Sequence, residues 1–118
     1  MLPNRMQLSR TVEDQLKKLK SQTGITPNVA ARIAFFRSIE AGYTFQPKET
    51  FVLDGNLVLD KFTWLGKTQL TIELLLKSKY PTYNSKSLQA AWASHVEHGM
   101  SSIRNHKSVT NCFDVLIN

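Results

Sequence analysis

The chain has 118 residues, a hydrophobic fraction of 42% and a net charge of +6. This length fits one domain, residues 1–118, with a modest core, and the composition excludes disordered, collagenous and disulfide-stapled chains. The positive charge points to an anionic partner, and it is densest in the first half, where eight basic residues face four acidic ones through Thr50.

The single cysteine, Cys112, permits no internal disulfide and suits a reducing cytoplasm. Arg5 and Arg10 break up the N-terminus, so no secretory leader is expected there, and no apolar run approaches the length of a membrane span. The expected location is therefore cytoplasmic, with no membrane partner.

From Arg5 the side chains alternate, which predicts a short strand with Met6 and Leu8 inward and Arg5, Gln7 and Ser9 outward. A two-stranded ribbon carrying such groups can enter a major groove. Thr11 is a candidate N-cap, with Glu13 and Asp14 in the first turn of a helix. Val12, Leu16 and Leu19 form its apolar stripe, and Lys17, Lys18 and Lys20 fall beyond it. Lysines there can simply complement the helix dipole. Joined to Arg5, Arg10 and the global charge, they become candidate phosphate contacts.

The stretch Thr23-Gly-Ile-Thr-Pro-Asn28 is a helix stop followed at once by a start, with Gly24 in the left-handed position and Pro27 at the first helical residue. The second helix reaches about Ala41 and is apolar nearly all round. Such a helix is buried on more than one side, so Ile33, Phe35, Phe36 and Ile39 are candidate oligomer contacts. Phe51 to Leu59 around Asp54-Gly55-Asn56 predicts a small β-hairpin. Lys67 to Tyr80 predicts a helix stopped by Pro81. The last helix starts at Ser85 or Ser87 and carries Leu88, Ala91, Trp92, Val96, Met100 and Ile103 on one line, with His95 and Gly99 on the same face. Gly99 either permits close packing or divides that helix. The tail from Lys107 is apolar at its end and is expected to dock on the core.

Catalytic chemistry is sparse. Gly66-Lys67-Thr68 matches the end of a phosphate-binding loop, but Lys61 stands where the first glycine is needed. Glu73 and Glu97 are isolated carboxylates. His95 and His98 could share a metal only with further ligands, which the sequence does not offer, and Cys112 near His106 lacks the context of a nucleophile. No metal, no cofactor and no enzymatic activity are expected. Trp64 and Trp92 could stack on bases, but their apolar neighbours favour core packing.

Met6-Gln-Leu-Ser9, Thr23-Gly-Ile-Thr-Pro-Asn28, the apolar helix that follows, and His95-Val-Glu-His-Gly-Met100 together resemble the DndE family over essentially the whole chain. The resemblance implies a small, mainly α accessory protein of bacterial DNA phosphorothioation. It also implies a homotetramer that binds double-stranded DNA with a preference for nicked duplex, while other proteins of the system activate and transfer sulfur. The strand–helix–helix opening also resembles ribbon–helix–helix repressors, although some seventy residues follow it here. The fold expected is thus a compact helical domain with a short N-terminal strand, a small hairpin and a ribbon–helix–helix-like start. The rival readings are a sequence-specific repressor and a scaffold for the other modification proteins.

Overall fold

The computed structural model describes residues 1–47 and 52–104. The expected docking of the tail, with Cys112 and His106, and the Phe51 end of the expected hairpin lie outside these residues. The domain is mainly helical. Strand β1 (Arg5–Met6) leads into α1 (Arg10–Thr23) and α2 (Pro27–Glu40). Strand β2 (Leu59–Asp60) then leads into α3 (Lys61–Leu65), a single 3-10 turn (Gly66–Thr68), α4 (Gln69–Lys79) and α5 (Ser85–Arg104). Among the described residues no helix is long and apolar enough to cross a membrane.

The hairpin expected around Asp54 does not form among the described residues. Instead β2 pairs antiparallel with β1, Arg5 opposite Asp60 and Met6 opposite Leu59. The reason lies in where the polar groups go. Gln7 Nε2 donates to the carbonyls of Leu53 (2.8 Å) and Gly55 (3.1 Å), and Asp54 accepts from the Arg10 main-chain nitrogen at 2.8 Å. The Gly55 nitrogen donates to the Leu8 carbonyl at 2.8 Å, an approach so close that a Cβ on Gly55 would lie 2.6 Å from that oxygen. The polar groups of Leu53, Asp54 and Gly55 therefore bond to the N-terminal segment, and within residues 52–58 the Val58 nitrogen reaches the Asn56 carbonyl at 3.1 Å. Strand β1 is two residues long.

Helix α1 begins earlier than expected. Ser9, not Thr11, is the N-cap, and its Oγ accepts from the Val12 nitrogen at 3.3 Å. Its end is as expected, with Gly24 at φ 78° and its N–H on the Lys20 carbonyl at 2.7 Å. Met6, Leu8, Val12, Leu16 and Leu19 all face inward and are buried.

The core is centred on α2 and α5. Ala34 meets Gly99, and Ser38 meets His95, so the two helices run antiparallel. Helix α5 passes through Gly99 unbroken, and all six residues of its expected apolar line are buried. Trp64 and Trp92 pack edge to face at 5.4 Å, and Trp64 Nε1 donates to the Met6 carbonyl at 2.8 Å. Both rings are core residues, not stacking platforms. On α4, Ile72 and Leu76 turn inward, whereas Leu70 and Leu74 are exposed by 66% and 55%.

A buried polar chain ties these helices together. The Phe45 nitrogen donates to Tyr80 Oη at 2.8 Å, leaving the tyrosine proton for His95 Nε2, also at 2.8 Å. His95 Nδ1–H then donates to Ser38 Oγ at 2.8 Å, and the Ser38 hydroxyl donates to His98 Nδ1 at 2.9 Å. Run in this direction, the chain gives the Tyr80, His95 and Ser38 protons an acceptor each while His95 is neutral. Burial, with smaller contributions from Lys79 and His98, lowers the His95 pKa from 6.5 to about 4.

Stability should depend on pH through this histidine. Above pH 6.5 the imidazole is neutral both folded and unfolded, and pH has no leverage through it. Below that value the unfolded chain takes up a proton that the folded chain refuses until about pH 4. Stability should fall across this window by about 3 kcal/mol. Urea unfolding at stepped pH checks it: a His95→Gln variant should be less stable but show a shallower slope. An equally steep profile in that variant would assign the slope to other groups.

Candidate nucleic-acid interface

Arg5, Arg10, Lys17, Lys18 and Lys20 are all exposed. Four of them lie on α1. The apolar stripe Val12, Leu16, Leu19 fixes which side of that helix faces the core. At 3.6 residues per turn the four cations then spread over roughly 160° of the opposite side, Arg10 and Lys17 near its middle, Lys18 and Lys20 on its flanks. The arrangement follows from the stripe alone, which is why it is readable in the sequence.

The same surface carries Asp14, exposed, and Glu13, buried at 3%. Four cations thus face two carboxylates, a small surplus for one copy. The sequence marks Glu13 only as a helix-dipole partner. Its Oε1 in fact accepts from the Leu57 nitrogen, and its Oε2 accepts from Lys17 Nζ at 3.3 Å. Burial by itself would raise its pKa, but the Leu57 N–H and the Lys17 ammonium outweigh that and hold the carboxyl below its ordinary value. Glu13 therefore stays ionised and steers Lys17, whose side chain remains 55% exposed. The Lys17 end of this i, i+4 pair faces solvent, so its ammonium can reach a phosphate while Glu13 stays in place. No sequence signal marks this role, because Leu57 is 44 residues away.

The groove-reading face expected on the first strand is not assembled. Gln7 is spent on the Leu53 and Gly55 carbonyls, and Ser9 is spent on its cap. Arg5 remains at the surface, with Nη2 on the Val58 carbonyl at 3.2 Å. The strand finds a partner within its own chain, β2.

The candidate oligomer contacts separate into two groups. Phe35 lies wholly inside the subunit at 0% exposure, its ring 5.4 Å from Phe36 and 5.5 Å from His95. Its burial needs no second copy. Ile33, Phe36 and Ile39 are half-buried on the other side of α2. Phe62 at 70%, with Leu70 and Leu74, adds apolar surface that the sequence does not single out.

Among the described residues no three His, Cys, Asp or Glu side chains gather as a metal site. His95 and His98 both turn to Ser38 instead. Ser38 is fully buried and so has no route to a substrate.

The family model for the DNA sulphur modification protein DndE matches residues 5–111. A crystal structure of DndE from Escherichia coli B7A, involved in DNA phosphorothioation modification, is 60% identical with a TM-score of 0.81. The match covers 88% of this chain and 100% of that one. A DndE double glycine-to-lysine mutant, involved in DNA phosphorothioation, is 59% identical with a TM-score of 0.79, covering 89% and 100%. No curated protein sequence gives a significant match. The chain belongs to the DndE family of DNA sulphur modification proteins.

Proposed function

We propose that this protein is a non-catalytic DNA-binding component of DNA phosphorothioation, working as a homotetramer that grips the phosphates of intact and nicked duplex. The observation that carries this reading is the solvent side of α1, where Arg10, Lys17, Lys18 and Lys20 stand together in a DNA-modification family. A surplus of two charges per copy is too small for useful affinity alone. Four copies repeat it, and multivalent phosphate contact then gives affinity with little base preference. The apolar surface proposed for subunit contact is Phe62, Leu70 and Leu74, with the half-buried Ile39. A nick lowers the cost of flexing DNA toward a curved basic surface, which supports a preference for nicked duplex. Sulfur chemistry is left to the other modification proteins.

Changing Lys17, Lys18 and Lys20 together to Glu should weaken duplex binding by roughly a hundredfold. It should also reduce the slope of log affinity against log salt by about 0.9 for each phosphate that the protein no longer neutralises. Solution mass by light scattering should not change. Unaltered retention in a gel-shift titration would remove this surface from consideration, and a strong preference for one duplex sequence would favour a repressor.

A further inference from the structure

Val29, Ile33, Phe36 and Glu40 follow one another at helical spacing along α2. With Arg32, Arg37 and Thr68 they line an open, mainly apolar groove of about 350 Å³. The groove lies on the side of α2 away from Phe35 and the buried polar chain. Its apolar walls are half-buried in the described structure.

We propose that residues 105–118 of the same chain fill this groove. Position is the first argument. Because α5 runs antiparallel to α2, its last residue, Arg104, lies toward the Val29 end. Ser102, shortly before it, accepts from Nη2 of the groove residue Arg37 at 3.1 Å. Reach is the second. Fourteen residues can extend roughly 45 Å, whereas Val29 to Glu40 spans about 16 Å of helix. Composition is the third. The segment carries Val109, Phe113, Val115, Leu116 and Ile117 as apolar groups of suitable size. Its carboxylate, Asp114, complements Arg32 in charge; Arg32 is held by the Trp64 and Thr63 carbonyls at 2.8 and 2.9 Å, which do not neutralise it. A tethered segment also outcompetes a second copy at ordinary concentrations, because attachment gives it an effective concentration in the millimolar range. Filling of the groove does not depend on DNA binding.

Cys112, the only cysteine, supplies the test. Single variants Val29→Cys, Ile33→Cys and Phe36→Cys place a second thiol at three points along the groove, and a disulfide needs the two Cα atoms within about 7 Å. Oxidation of dilute full-length protein should give, at one or more of these points, a disulfide within the chain, read as monomer mobility and the loss of two hydrogens in intact mass. Val52→Cys, on exposed surface, should not. Disulfides formed only between chains, or free thiols at all three points, would overturn the proposal. The unmodified chain gives a second reading: maleimide labelling of Cys112 should be at least tenfold slower in buffer than in urea. Equal rates would likewise overturn it. DNA retention should be unaffected by either outcome, so the groove and the DNA surface can fail separately.

Discussion

Gly99→Ala should strongly destabilise this protein, although in an exposed helix the same change would stabilise it by about 1 kcal/mol. A Cβ at Gly99 would sit 1.8 Å from the Ala34 carbonyl oxygen, 2.5 Å from its carbon and 2.8 Å from its Cα. All three atoms are backbone, so no rotamer change can make room. Helices α2 and α5 would have to separate, opening the packing of Phe35, Trp92 and Val96 and drawing Ser38 away from His95. The expected cost exceeds about 3 kcal/mol, or a fall of roughly 15 °C in melting temperature for a domain of this size. A melting curve followed by circular dichroism checks it. A midpoint at or above that of the parent would mean that the two helices have slack between them.

Phe35→Asp should be at least as severe. Removing a fully buried aromatic ring costs about 3–5 kcal/mol, and the new carboxylate would lie against Phe36 and His95 at a position fully shut off from solvent. Together these consume most of the stability of an ordinary domain. The variant should lack a cooperative melting transition. Leu74→Asp makes the instructive contrast. Leu74 is 55% exposed, so its variant should melt like the parent but lose solution mass if α4 holds subunits together. A native melting curve for Phe35→Asp would place that ring outside the core.

The helices were legible because their signals are local. Gly24 and Pro27 mark a stop and a start within four residues, and the α5 line from Leu88 to Ile103 needs only a period of 3.6. The exposed lysines of α1 follow from the opposite stripe by the same geometry. What escaped was set by partners distant in sequence. Asp54-Gly55 has the composition of a tight turn, yet Gln7, Leu8 and Arg10 claim its polar groups from more than 40 residues away. Phe35 and Phe36 are adjacent and chemically alike. Only the position of α5 decides that one is sealed in the core while the other borders a groove. Gly99 could not be resolved from its own helix, since the atom that requires it belongs to Ala34.

The attachments of the N-terminal segment constrain the order in which the chain can fold. Leu2 bonds through its nitrogen to Glu73, 71 residues on, and the Gln7 carbonyl accepts from Gln89, 82 residues on. The Met1 carbonyl accepts from Ser85, 84 residues on. During synthesis these first residues emerge before any of those partners exist, while α1 and α2 can already pair as neighbours. The opening of the chain can therefore be fastened only after residues as far as Gln89 have left the ribosome. Until then Leu2, Met6 and Leu8, all buried in the finished domain, are exposed apolar surface.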